Sequence, residues 1–195
     1  MKEYKTDRIF IKEMSAAELT DEVMNWFDDV DLMKYYTNSG NKITRESLVE
    51  SIKKGKENED NFTYGVHDIE TNRIIGTVKI GPINKKQKIS DLVTLIGDKN
   101  FLGKGLAPEI IKLGNKIAFE EHDIRKLYGG MYMSNIPSIK AYTRGGWIIE
   151  GRLNGFYWND GKNEDRLLVT CLNPKYFTEE EVNQIKKKES LFYNQ

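Results

Sequence analysis

Short apolar runs bounded by turn residues alternate along this chain with stretches whose apolar positions recur at helical spacing. Arg8-Ile9-Phe10-Ile11-Lys12 is β-branched and aromatic and predicts a strand. Ser15-Ala16-Ala17-Glu18 is a capping box, which predicts a helix running on to about Trp26-Phe27. A second helix is expected to open near Thr44, with Leu48 and Ile52 one turn apart, and Gly55 to Asn61 reads as a charged loop. Phe62–His67 and Ile74–Ile80 predict a hairpin around Glu70-Thr71-Asn72. Lys85–Lys88 reads as a solvated loop, and Leu92–Ile96 as the next strand.

Beyond the loop 97–105 comes the most periodic stretch, in which Leu106, Ile110, Leu113 and Ile117 share one helix face. Pro108 suits its first turn, where no backbone N–H is needed. Lys126–Met133 predicts a strand, and Pro137–Arg144 a short helix closed by Gly145-Gly146. Trp147–Trp158 and Arg166–Leu172 predict two strands joined through Asn159-Asp160-Gly161. Thr178-Glu179-Glu180-Glu181 is a second capping box and opens a polar helix over about 178–190. No repeat or low-complexity linker divides the 195 residues, so a single domain is expected, with its core over about 7–175.

Charge and cysteine content narrow the function classes. Thirty basic and thirty acidic residues cancel, which argues against a nucleic-acid binder and against charge-driven membrane attachment. The single cysteine, Cys171, excludes a disulfide within the chain and any multi-cysteine zinc site, and His67 and His122 belong to no ligand-spaced motif, so no metal is expected. No apolar stretch follows Met1-Lys2-Glu3-Tyr4-Lys5, and no run is long enough to span a bilayer, so the expected compartment is the cytoplasm.

The strand ending at Ile96, the loop Gly103-Lys104-Gly105 and the long helix behind it form the informative unit. Glycines at a helix start let backbone N–H groups converge on an anion, the helix dipole adds positive potential, and Lys104 adds a full charge. That chemistry suits a phosphate or pyrophosphate. A P-loop requires glycine where Asp98 stands and Ser or Thr where Gly105 stands. The dinucleotide fingerprint requires glycine where Pro108 stands. The plainer alternative is a glycine-rich turn that only connects a strand to a helix.

Asn100-Phe101-Leu102-Gly103-Lys104-Gly105, followed by Asn135-Ile136-Pro137-Ser138-Ile139-Lys140-Ala141-Tyr142 and Gly146-Trp147, resembles the pattern of the GCN5-related N-acetyltransferases (GNAT) in order and spacing. Glu150-Gly151-Arg152, Asp160-Gly161 and Asp165 resemble the ribosomal-protein and amino-sugar acetyltransferase type. Asn100 stands where the family favours Gln or Arg, and the likeness spans roughly Arg8 to Asn173. The resemblance implies an α/β fold: a mixed, mostly antiparallel sheet of about seven strands, helices on both faces, and a splay between the fourth and fifth strands. It implies acetyl-CoA as cosubstrate. The backbone of Phe101, Leu102, Gly103, Lys104, Gly105 and Leu106 would cradle its pyrophosphate, Leu95 and Ile96 would line its pantetheine arm, and Asn135 and Ser138 would lie beside its far end.

Acetyl transfer needs a neutral amine, and the departing thiolate benefits from a proton donor. No Ser-His-Asp or Cys-His arrangement is visible, so direct attack in a ternary complex is the simpler path. Tyr142 occupies the position of the family's tyrosine acid, although Ile139 and Tyr142 share a helix face and a core tyrosine is the plainer reading. Asp91 stands where the subgroup has an acidic residue and is a candidate base through water, or simply a strand-end aspartate. His67 and Cys171 read as structural. Trp26 and Phe27 read as core, whereas Tyr35 or Tyr36, beside Thr37–Gly40, is a candidate for the acceptor pocket. The acceptor classes are an amino sugar, nucleotide-linked, a protein N-terminus, or a small amine. A homodimer is compatible with the family. The alternative to an enzyme is a CoA-binding sensor or interaction module with the same fold.

Overall fold

The computed structural model describes residues 4–36 and 42–193; the polar run Thr37–Gly40 lies outside them. Eight strands form one mixed sheet in the order β1-β2-β3-β4-β5-β6-β8-β7. They are β1 (Tyr4–Lys5), β2 (Ile9–Glu13), β3 (Phe62–Asp68), β4 (Ile74–Ile80), β5 (Ile89–Ile96), β6 (Lys126–Tyr132), β7 (Ile148–Asn159) and β8 (Lys162–Leu172). Every neighbouring pair is antiparallel except β5 and β6. The strand beyond the expected seven is β1, whose two residues are too few to show a pattern. The β7–β8 hairpin turns through Asp160 and Gly161, both at positive φ, 48° and 77°, as a primed turn demands.

Among the described residues six α-helices accompany the sheet: α1 (Asp21–Asp28), α2 (Val30–Met33), α3 (Arg45–Asn58), α4 (Ala107–Glu120), α5 (Ile136–Arg144) and α6 (Glu179–Lys186). Two boundaries differ from the sequence reading. The Ser15–Glu18 capping box forms, but it closes only a 3-10 turn. Leu19 leaves helical geometry, and Thr20 caps α1 by accepting from Val23 N. Helix α3 runs through Gly55, which was expected to open a loop, and stops where Glu59 turns left-handed at φ 54°.

Each face of the sheet buries a core. On one face, Leu106, Ile110, Ile111, Leu113 and Ile117 of the α4 segment and Ile139 and Tyr142 of α5 pack on Ile75, Val78, Ile80, Leu92, Leu127 and Leu167. On the other, Val23 and Trp26 of α1 pack with Leu19 and Leu95, flanked by Leu48, Val49 and Ile52 of α3. Trp26 and Phe27 are therefore core residues. The Trp26 ring lies so close over Gly97 that a Cβ there would overlap it. Gly97→Ala is accordingly expected to cost about 1–3 kcal/mol, the usual penalty of overpacking, read as a lower urea midpoint at unchanged slope.

Candidate active site

Parallel strands need a crossover, and α4 supplies it between β5 and β6. Their pairing is brief. Only Ile89–Asp91 faces Lys126–Tyr128 in register, after which the strands part. From Leu92 to Ile96, β5 is held by β4 on one side and, among the described residues, by no strand on the other. This is the splay expected between the fourth and fifth strands of the sequence reading, now numbered β5 and β6. Carboxyl ends of parallel strands that diverge in this way form a natural crevice for a ligand.

The loop leaving β5 enters that crevice. Asp98 Oδ1 accepts from Asn100 N at 2.9 Å and from Asn100 Nδ2 at 3.0 Å, folding 99–101 into a single 3-10 turn. Asn100, which replaces the family's Gln or Arg, therefore serves the loop itself. Gly103 and Gly105 follow at φ 73° and 72°, and a Cβ built on either meets nothing within 4 Å. Arg8 fastens the loop by its carbonyl side, donating to Lys104 O at 2.9 Å while pairing with Glu109 on the first turn of α4. The backbone amides of residues 103–106 donate to no acceptor among the described residues. Four unmet donors before the N-terminus of a 14-residue helix make an anion site. Lys104 stays beside it, its Nζ 4.9 Å from the Phe101 ring centre, and Leu102 is exposed.

The other candidate residues are placed as follows. Leu95 turns its side chain into the α1 core, so only its backbone faces the crevice, and Ile96 packs on the α4 side. Asn135 caps α5, its side chain accepting from Ser138 N at 3.3 Å, and the Ser138 hydroxyl lies 3.8 Å from Met131 Sδ. Both sit where β6 runs into α5.

Tyr142 is buried on α5, edge-on to Trp147. Its hydroxyl donates to Leu92 O at 2.9 Å and accepts from Thr94 Oγ1 at 3.3 Å, which places the phenol where the two strands begin to separate. Burial pushes its pKa well up, so it remains a proton donor at neutral pH. Asp91 lies one residue before that point. Its Oδ1 accepts from Leu92 N at 2.7 Å, and burial raises its pKa against the lowering effect of that bond and of Arg166 and Lys79. A raised carboxyl pKa means that the folded state holds its proton more tightly than the unfolded chain. Stability is therefore lost as pH climbs from the unfolded value of about 4 through the folded one. Asp91→Asn is expected to raise the melting temperature at pH 7 and to flatten its decline above pH 4, measured by thermal denaturation across pH.

An aromatic wall closes the face of the sheet opposite α4. Tyr35 lies 5.5 Å from Tyr132, ring to ring, and Tyr132 stacks on Tyr157 at 3.7 Å. Tyr36 is pushed up to about 12 by burial and then by the Asp91 charge. Arg166 runs across Gly130, where a Cβ would overlap the guanidinium. No local motif marks Arg166, Tyr132 or Tyr157 in the sequence. Glycine in mid-strand signals close approach, so the Gly129-Gly130 pair was the available clue. His67 is structural: Nδ1 lies 3.1 Å from Gly65 O, Nε2 lies 2.9 Å from Glu18 Oε1, and the ring stacks on Phe10. Cys171 is buried, its thiol pushed up to about 12 by burial and so unsuited to be a nucleophile. No cluster of three or more metal-ligating side chains occurs among the described residues, and no helix there is long and apolar enough to cross a membrane.

A parallel pair that opens over a glycine loop with unmet amides offers a crevice ending in an anion site, and residues 8–148 match the acetyltransferase (GNAT) domain family. The chain belongs to that family and is an acetyl-CoA-dependent acetyltransferase. It is 24% identical over 159 residues to "Probable N-acetyltransferase YjcK" of Bacillus subtilis (strain 168), covering 80% of this chain and 86% of that one. Its fold superposes on spermidine N-acetyltransferase of Vibrio cholerae, solved with CoA and spermine, with a TM-score of 0.78 at 20% identity, covering 88% of this chain and 99% of that one. It also superposes on ribosomal-protein-S5-alanine acetyltransferase of Vibrio fischeri, with a TM-score of 0.76 at 17% identity, covering 91% and 100%.

Proposed function

We propose that the protein moves the acetyl group of acetyl-CoA to a primary amine by direct attack in a ternary complex. The observation that carries this reading is the set of unmet amides at residues 103–106, open at both glycines and backed by α4. They fit a pyrophosphate, with Lys104 as counter-charge and the free edge of Leu92–Ile96 as the wall for an amide-bearing arm. Acetyl-CoA supplies the activated thioester. Asp91, through water, takes the proton that the amine loses as its nitrogen bonds the acetyl carbon. Tyr142 Oη gives its proton to the sulfur as the C–S bond breaks. Asn135 and Ser138 lie at the far end of the crevice beside the reacting group. The acceptor is drawn from amino sugars, nucleotide-linked ones included, protein N-termini and small amines such as those the spermidine enzymes acetylate.

One observation favours a second reading, a non-catalytic CoA-binding module: the Tyr142 hydroxyl already has two partners, Leu92 O and Thr94 Oγ1. Thermal denaturation with acetyl-CoA, CoA, ATP and NAD added separately tests the shared cradle. At a hundred times its dissociation constant a ligand adds about 2.7 kcal/mol, a rise of several degrees in a domain of this size. A rise with acetyl-CoA and CoA alone is expected, and CoA release on adding amines then separates the enzyme from the module. No rise with either would remove both readings.

A further inference from the structure

Arg8, Arg45, Arg73 and Arg152 each pair with a carboxylate. Arg166 does not: among the described residues no carboxylate oxygen lies within 4 Å of its guanidinium. Its Nε is buried without any hydrogen-bond partner, and so is the hydroxyl of neighbouring Tyr157. An orphaned buried donor costs about 1–3 kcal/mol, and two such groups stand in this one cluster. The guanidinium is held in place rather than loose. It lies across Gly130, with its carbon 4.9 Å from the Phe156 ring centre and 6.0 Å from that of Tyr157.

The surroundings add positive charge. Arg166 lines a cavity of about 370 Å³ with Tyr128, Gly129, Leu168, Arg125 and Lys126. Lys126 is neutralised by Glu150 at 2.7 Å, whereas Arg125 has no carboxylate partner among the described residues and lies over the Phe177 ring. Of the nearby acids, Glu164 accepts from Ser134 N and Asn159 Nδ2 and Asp165 pairs with Arg152, while Asp91 makes no ion pair with the guanidinium but feels its charge. Gly129, which lines this cavity, lies beside Asp91: a Cβ there would meet Asp91 Oδ1 at 3.4 Å.

We propose that the acceptor is an amine that also carries an anionic group, and that Arg166 is the residue that selects it. The amine stands at Asp91 and the splay, and the anion stands at the Arg166 guanidinium, where a carboxylate or a phosphate meets its outer Nη–H groups from the cavity side. The inference rests on the acetyltransferase reading above and narrows its substrate class.

The test uses the full chain with saturating acetyl-CoA and follows CoA release. The probes are matched pairs: β-alanine and its amide, 4-aminobutyrate and its amide, aminoethyl phosphate and ethanolamine, and glucosamine 6-phosphate and glucosamine. The anionic member of at least one pair is expected to have the higher kcat/KM by about tenfold to a hundredfold, the range of a charge-assisted hydrogen bond. Which pair responds separates carboxylate from phosphate. Arg166→Gln is expected to collapse that ratio, and Arg166→Lys to restore part of it, with melting temperatures checking that each variant folds. Equal rates within every pair, a preference for spermidine over all of them, or a ratio untouched in both variants would overturn the proposal, as would acetyl-CoA binding by calorimetry with no turnover of any probe. Absence of acetyl-CoA binding would instead overturn the acetyltransferase reading itself.

Discussion

Gly103→Asp is expected to weaken acetyl-CoA binding about a hundredfold, measured by calorimetry. The space at the Gly103 Cβ is empty, so the carboxylate would not be expelled by neighbours and would occupy the volume that the amides of residues 103–106 face. A negative group about 4 Å from a phosphate costs about 4 kcal/mol at the effective dielectric of a protein surface, and salt and side-chain rotation lower that towards 3. The φ of 73° adds a backbone penalty of about 1–2 kcal/mol that acts on folding. Gly103→Ala serves as the control. It carries the same strain with no charge, so it is expected to share the loss of melting temperature while keeping most of the affinity. Equal weakening in both variants would show that loop conformation, not charge, governs binding.

Tyr142→Phe is expected to lower kcat about a hundredfold with the dissociation constant of acetyl-CoA nearly unchanged, because proton transfer by a positioned acid contributes about 10²–10⁴. The substitution also removes the donor to Leu92 O and leaves a buried carbonyl unmet, for which about 1–3 kcal/mol of stability should be lost. The two effects are separable, since the structural one appears in denaturation and the chemical one in single-turnover rates at a temperature where the variant is folded. The raised phenol pKa predicts that the wild-type acid keeps its proton through the neutral range, with no loss of kcat there from its titration. Unchanged kcat would reduce Tyr142 to a plug between the strands.

The parts of this protein that were legible in its sequence are those governed by local rules. Leu106, Ile110, Leu113 and Ile117 announce α4 because a helix repeats its buried face every turn, and they are all buried. Gly103 and Gly105 announce the loop because few other residues accept positive φ. What was not legible depends on register and on competition between caps. Thr20 displaced the start of α1 because its bond to Val23 N outcompeted continuation from the Ser15 box. Arg166 was hidden because its role depends on facing Tyr132 on β6 and on crossing Gly130, and neither neighbour is near it in sequence. Likewise, Asn135 and Ser138 read equally well as a cofactor contact and as an ordinary helix cap, and spacing alone does not distinguish the two.

The brief pairing of β5 with β6 has a mechanical consequence. Among the described residues, three register positions and the bonds that Lys88 O accepts from Arg125 N and Lys126 N are what stitch β1–β5 to β6–β8 through the backbone. The remaining cohesion comes from side chains of α4 and α5 packed across the seam, which tolerate small rotations better than a hydrogen-bonded ladder does. The sheet is therefore two panels joined by a partial hinge, and a molecule that bonds the free edge from Leu92 to Ile96 acts as a temporary strand. Amide hydrogen exchange along that edge should slow when such a molecule binds, and the two panels, able to open separately without it, should then open as one cooperative unit.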